Sequence, residues 1–262
     1  MTPISSSAIS RAATRRSILL LSFATFSSMA SQRICDAMLP ELSREFSVGL
    51  PQAAQVVSVF AIVYGGLQLF YGPLGDRLGK FRVLAWATLA CSIGNTMAVF
   101  APSLDVLLLS RAVVAMGAAA IIPLGLAWVG DVADPAHLQE TIARVGLGTT
   151  LGIGSGQLVG GLLTDTLGWR WAFGVLALLF CVVGMLLLRD LQRQQAAENA
   201  LAGSAPAGHS LARQGFGAQV LSMLAQPWPR TILVVGVIEG AAGFGALAIW
   251  ASHLHHGHAF SL

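Results

Sequence analysis

The charged residues of this chain are separated by long gaps. Lys, Arg, Asp and Glu are absent from 17–32, 46–75, 83–104, 112–130, 145–164 and 171–188. A helix of about 20 apolar residues crosses the ~30 Å of hydrocarbon in a bilayer. Six runs of that size predict a polytopic membrane protein. A seventh apolar stretch, 231–252, carries a single acid, Glu239. Composition agrees: 55% of the residues are hydrophobic and 10% charged, where a soluble domain carries about 25% charged residues. A disordered chain, a collagen-like chain and an ordinary cytosolic enzyme are thereby excluded.

The start of the chain carries a second pattern. Arg15 and Arg16 precede an apolar stretch, and Ser28-Met29-Ala30 resembles a weak cleavage site. The apolar run continues to Leu39, so a first transmembrane helix is the expected form. Seven spans are predicted, at 17–39, 50–72, 83–101, 104–130, 143–163, 172–188 and 231–252. A tail, 1–16, precedes them, a linker, 189–230, divides the sixth from the seventh, and 253–262 follows. Within the linker, 192–200 is polar and could extend the sixth helix. The stretch 202–210 is rich in Ala, Gly, Ser and Pro, as flexible linkers are. A short interfacial helix over 215–229 would end at Pro227 and Pro229.

Basic residues set the orientation. With the N-terminus in the cytoplasm, the inner side holds Arg11, Arg15, Arg16, Arg77, Lys80, Arg82, Arg144, Arg189, Arg193, Arg213 and Arg230. The outer side holds Arg33, Arg44 and Arg170. This asymmetry follows the positive-inside rule. The net charge of +3 is therefore topological, with no basic stripe for nucleic acid. Cys35, Cys91 and Cys181 lie in or beside spans and read as small apolar fillers, without disulfide or metal spacing.

The chain also repeats itself. Residues 65–79, GGLQLFYGPLGDRLG, align with 154–168, GSGQLVGGLLTDTLG, at an offset of 89. Gly65, Gln68, Leu69, Gly72, Leu74, Asp76, Leu78 and Gly79 recur as Gly154, Gln157, Leu158, Gly161, Leu163, Asp165, Leu167 and Gly168. Each copy leads from the second helix of a three-helix group into its third. Three spans separate the copies, so they face opposite sides of the membrane. Arg77 and Lys80 of the inner copy become Thr166 and Trp169 in the outer one. Inverted three-helix repeats are a common build of secondary transporters.

Individual residues refine this reading. Gly72, Gly75 and Gly79 would permit a tight turn and close helix approach. Asp76 is an acid at the membrane boundary and needs a partner, while Arg77, Lys80 and Arg82 could serve only as a topology anchor. Gly148, Gly152, Gly156 and Gly160 line one face of the fifth span, either for close packing or as a sliding surface. Gly161 lies beside them, and Gln157 could bond across helices. Arg111 and Glu239 fall about 10 and 12 Å into their spans. Ionisable groups at such depth are functional by default. Burial favours the neutral form of a carboxyl, which suits a proton carrier. A static buried pair, or snorkelling to a headgroup, is the other reading. Arg33 and Asp36 form either a local ion pair facing a cavity or a wet helix end. Tyr64, Gln68 and Asn95 are polar within apolar spans. His253, His255, His256 and His258 read as a loose loop rather than a metal site, with no acid or Cys beside them. No catalytic arrangement, cofactor motif or phosphate-binding loop occurs.

Several of these segments resemble one family. Gly72-Pro73-Leu74-Gly75-Asp76-Arg77-Leu78-Gly79-Lys80-Phe81-Arg82 is similar to the signature between helices two and three of the major facilitator superfamily, G-x-L-x-D-[RK]-x-G-[RK]-[RK], with Phe81 in place of the last basic residue. Arg111 with Gly117 resembles its helix-four Arg motif, and Asp131 stands where the family places an acid. Residues 152–161 resemble the helix-five antiporter motif G-x-x-x-G-P-x-x-G-G, with Gln157 replacing Pro. Residues 168–173, GWRWAF, resemble the start of helix six.

The resemblance implies an all-α membrane protein: a six-helix major-facilitator N-terminal bundle of two inverted three-helix repeats, plus a seventh transmembrane helix. It implies proton-coupled efflux of a small molecule by alternating access, with Arg111 tuning a nearby acid. It also implies a gating loop in which Asp76 faces helix eleven and Lys80 pairs with Asp131. The partners would be the lipid bilayer, substrate and protons. The location would be a bacterial inner membrane. The family has twelve helices, and this chain reaches its seventh. The chain is expected to be an incomplete transporter, a half-transporter that pairs with a second copy, or a membrane protein with a structural or regulatory role.

Overall fold

A computed structural model describes residues 6–202 and, beyond them, seven single positions between 225 and 238. The chain divides into two units, Met1–His209 and Ser210–Leu262. In the second, every described position is helical, and Thr231 Oγ1 donates to the Pro227 carbonyl at 2.9 Å, one turn back. Glu239, the histidine cluster and most of the linker lie outside the described residues.

The first unit contains α1 (Ser6–Arg33), α2 (Leu39–Glu45), α3 (Leu50–Ala53), α4 (Gln55–Leu78), α5 (Lys80–Val99), α6 (Leu104–Val132), α7 (Leu138–Thr166) and α8 (Trp169–Ala202), with a 3-10 turn at Pro135–His137. Among the described residues, three helical segments are long and apolar enough to cross a membrane: Leu50–Leu78, Leu104–Val132 and Trp169–Ala197. Of the other long helices, α1 and α7 are similar in length but carry more Ser, Thr and Gly, and α5 is shorter. Two hydroxyls of α1 are satisfied within the helix: Ser22 donates to Ile18 O at 3.0 Å and Ser27 to Phe23 O at 2.7 Å. This back-bonding hides the polarity of the helix from its apolar surroundings.

Several boundaries differ from the sequence expectation. The first span is expected to reach 39, but α1 stops at Arg33. Pro40 is the cause. In a continued helix its ring would strike the carbonyl of Asp36, so the chain turns first and Pro40 sits in the opening turn of α2. The second span is expected to end at 72, whereas α4 runs through Pro73 to Leu78. Gly72 is therefore mid-helix with open space beside it, and the expected turn at Gly72 and Gly75 shrinks to one residue. That residue is Gly79, with φ 92°. Its repeat partner Gly168 has φ 96°. Only glycine enters this region without strain, so one backbone device joins α4 to α5 and α7 to α8. Helix α8 continues to Ala202, past the predicted start of the linker at 189.

The repeat is visible in the packing. α1, α4 and α5 form one triplet, and α6, α7 and α8 the other. α1 packs on α7 as α6 packs on α4, and the third helices, α5 and α8, pack on each other. The chain is an all-α membrane fold built on two inverted three-helix repeats. Helix α6 is its most buried element, with Ala115, Ala118, Ala119 and Ala120 inaccessible. Ser103 caps its start, accepting from Val106 N at 3.4 Å.

Glycine determines the α1–α7 seam. A Cβ on Gly148, Gly152, Gly156 or Gly160 would run into the carbonyl oxygen of Ser22, Phe26, Ala30 or Ile34, respectively. Both series step by four residues, so the bare face of α7 lies against successive carbonyls of α1. Gly161, on the flank, has Ala37 Cβ 3.3 Å from where its own Cβ would be.

A buried carboxylate closes the other end of α1. Asp190, 2% exposed, accepts from Arg16 Nε at 2.7 Å and from Gln194 Nε2 at 3.1 Å. Arg16 Nη2 and Ser17 Oγ donate to it as well. The sequence reading passed over Asp190. Asp190→Ala removes the carboxylate on which all three side chains converge and leaves the Arg16 guanidinium without its counter-charge. It should destabilise the detergent-solubilised chain by about 2–3 kcal/mol, read as a lower thermal midpoint.

Candidate functional site

Four helices of the first unit converge on Arg111. Seven residues into α6, its side chain is inaccessible and is the largest fully buried one. Nε donates to Val56 O at 3.3 Å, and Nη1 reaches Ser31 Oγ at 3.5 Å. The guanidinium lies 4.3 Å from the centre of the Phe60 ring and 6.0 Å from that of Phe173. Among the described residues, Nη2 has no hydrogen-bond partner. No carboxylate among the described residues forms an ion pair with Arg111. A cation so placed is held by aromatic faces and neutral oxygens. It keeps one donor in reserve.

Phe60 continues into a ladder along α4. Its ring stacks on Tyr64 at 5.7 Å, and the Gln68 side chain bonds the Tyr64 hydroxyl. The i, i+4 spacing puts all three on one face. Asn95 is placed differently: it is buried on α5 and donates to Cys91 O at 2.8 Å.

A second constellation lies at the end of α1. Asp36 Oδ2 is 3.3 Å from Arg33 Nη1 and accepts from Gln157 Nε2 at 3.2 Å. Arg33 and Asp36 are about a quarter exposed. Gln157, which stands in place of the motif's Pro, thus ties α7 to the end of α1. Among the described residues, the structure joins Arg33, Asp36 and Gln157 in one cluster, and Arg111 makes its contacts with other residues. Glu239 lies outside the described residues.

The gating-loop residues gather at the far end of α6, about 30 Å from Arg111 along a helix rising 1.5 Å per residue. Lys80 Nζ is 2.6 Å from Asp131 Oδ2 and 3.9 Å from Asp76 Oδ1. The pairing of Lys80 with Asp131 is the one the family resemblance implies. For Asp76, which the sequence leaves in need of a partner, Lys80 is the base that approaches it among the described ion pairs. The unbroken helix to Leu78 and the single-residue turn put Lys80 one turn beyond Asp76. Gly75 leaves room for this arrangement: a Cβ there would lie 3.3 Å from Lys80 Cγ and would collide with Leu124. Arg77 is half-buried and Arg82 exposed. These carboxylates are about half exposed, so each pair contributes about 0–1 kcal/mol to stability. Their effect falls on the relative placement of helix ends.

The sequence reading also missed Ser31, Val56 and Phe60 around Arg111, and Glu45, whose Oε1 is 2.7 Å from Arg170 Nη1. Ser and Phe are common in apolar spans, and nothing in one sequence marks which of them face an arginine.

Known proteins resemble the chain throughout. A sequence model of the Major Facilitator Superfamily matches residues 21–262. The puromycin resistance protein pur8 of Streptomyces alboniger is 30% identical over 178 residues, covering 65% of this chain and 35% of that protein. The riboflavin transporter RibZ of Clostridioides difficile is 28% identical over 159 residues, 60% of this chain and 34% of RibZ. The chain thus spans well under half the length of these curated relatives. Among solved structures, a bacterial homolog of the human lysosomal transporter Spinster, inward-facing and unoccupied, superposes with a TM-score of 0.64 at 18% identity. It covers 95% of this chain and 57% of that one. A peptide transporter POT in complex with sulfate gives 0.61 at 16% identity, covering 93% and 53%. Motif, repeat and fold lead to one assignment: the chain belongs to the Major Facilitator Superfamily of membrane transporters.

Proposed function

We propose that this chain supplies the N-terminal half of a proton-coupled transporter that exports a small molecule by alternating access. Arg111 carries the reading: a buried cation with a donor in reserve, whose Ser31 contact lies on the helix that leads to Asp36. In this reading Asp36 and Glu239 are the acids that exchange protons, and Arg111 is the buried cation that tunes the coupling. Arg33 and Gln157 hold Asp36 in place, and Gln68 and Tyr64 serve the substrate path. The loop from Gly72 to Arg82, with Asp131, closes the opposite end. The remaining helices come from a C-terminal half or a second copy. The charge asymmetry supports a cytoplasmic N-terminus in a bacterial inner membrane. Similarity to a resistance protein favours efflux, although the replacement of Pro by Gln157 departs from the antiporter motif.

Inverted vesicles carrying the complete transporter test this. With respiration holding the lumen acidic, adding a transported compound should release protons and restore the fluorescence of a pH-sensitive dye. Asp36→Asn should remove the response while the protein remains in the membrane. Proton release undiminished by Asp36→Asn would take Asp36 out of the mechanism. A compound that crosses without moving protons would overturn coupling.

A further inference from the structure

A groove of about 580 Å³ runs along the flank of the first unit, between the end of α4, the first half of α5 and the middle of α6. Its walls are apolar: Leu74, Leu78, Trp86, Ala90 and Met116. Leu78, Trp86 and Met116 are each more than half exposed. Its base is sealed, because α5 and α6 touch at Gly117, where a Cβ would lie 2.6 Å from Ala87 O. Tyr71 donates its hydroxyl proton to Met116 O, so that polar wall atom needs no outside partner. Arg82 lines the groove at its polar end. It is exposed and pairs with no carboxylate among the described residues. An open apolar slot ending in a free cation matches one molecule in every membrane.

We propose that this groove binds one acyl chain of an anionic phospholipid, whose phosphate is held by Arg82. The dimensions fit. Arg82 to Ala90 spans about 12 Å of helix, within the ~15 Å hydrocarbon depth of one leaflet. Arg82 would lie at headgroup level, and the Trp86 indole just below it, where Trp is favoured. The charge is complementary: guanidinium and phosphate form short, bidentate, charge-assisted bonds. A zwitterionic lipid offers the same phosphate but adds a cation beside Arg82. The end of the bundle carrying Arg82 is the one the charge asymmetry assigns to the cytoplasm, where the leaflet is anionic. The site lies away from Arg111, and lipid binding there is read without a transport assay.

Native mass spectrometry of the 262-residue chain in neutral detergent tests the proposal, with equimolar phosphatidylglycerol and phosphatidylcholine of the same acyl chains. The first lipid bound should be phosphatidylglycerol by about fivefold, the equivalent of about 1 kcal/mol. Arg82→Gln should bring the ratio to near one, and Arg82→Lys should restore most of it. Ala90→Trp, which fills the groove, should reduce binding of both lipids. Equal binding by the unaltered chain, or a preference that survives Arg82→Gln, would overturn the proposal. Phosphatidylglycerol binding unchanged by Ala90→Trp would place the acyl chain elsewhere and overturn it too. Displacement of the lipid by glycerol phosphate at equal concentration would reveal a phosphate site without a lipid groove, with the same consequence.

Discussion

Gly156→Ala should lower the thermal midpoint of the detergent-solubilised chain by about 2–12 °C, while Gly154→Ala, two residues away, leaves it unchanged or slightly higher. The first figure comes from a cost of about 1–3 kcal/mol for overpacking one methyl, converted at ~2–4 °C per kcal/mol for a domain of this size. A Cβ on Gly156 would lie 2.5 Å from Ala30 O and 2.8 Å from Ala30 Cα. Both are backbone atoms and cannot move aside as a side chain would. The helices must separate, and the close contacts at Gly148, Gly152 and Gly160 separate with them. A Cβ on Gly154 meets nothing within 4 Å, so there alanine brings only its better helix propensity. Gly156→Leu should prevent folding. If Gly156→Ala were silent, the α1–α7 seam would be looser than these contacts require.

Arg111→Met should abolish transport by the complete protein and raise the thermal stability of the chain. The two effects have one origin. Arg111 is wholly buried, has a donor without a partner, and pairs with no carboxylate among the described residues. Desolvating such a cation is expensive, and Phe60, Val56 O and Ser31 offset only part of the cost. Methionine fills a similar volume without charge. Replacing buried ionic groups with apolar ones of like size has stabilised other proteins by about 1–4 kcal/mol. A residue retained at the expense of stability is retained for function. Transport assays and thermal unfolding should therefore move in opposite directions. A large stability loss in Arg111→Met would make Arg111 a structural cation and remove the main support for the proposed mechanism.

The sequence made the spans legible because membrane crossing requires long uncharged runs, and the repeat legible because Gly79 and Gly168 cannot be replaced without backbone strain. Helix α6 begins at Leu104 as expected, since Ser103 is a readable cap. Helix ends set by proline were harder to read. Pro40 stops α1 and Pro73 fails to stop α4, and the difference depends on what each ring meets. The glycine face of α7 was visible as a period of four, but its partner was not, because α1 presents backbone carbonyls and every residue has one. Lys80 and Asp131 were paired through the family resemblance and do meet. Asp190 was missed because it sits in a charged stretch at a helix end, where acids are usually solvated. Only the fold brings Arg16, Ser17 and Gln194 around it.

The central claim is that two three-helix units are related by inversion across the membrane. Leu78 and Leu167 test it most directly. They are repeat partners at the offset of 89, each adjacent to a turn glycine, and 54% and 60% exposed. With Cys35, Cys91 and Cys181 replaced, a single cysteine at either position can be probed with a membrane-impermeant maleimide. In intact cells the cysteine at 167 should label and the one at 78 should not; in inverted vesicles the pattern should reverse. Labelling of both positions from the same side would contradict the inverted repeat and the transport reading built on it.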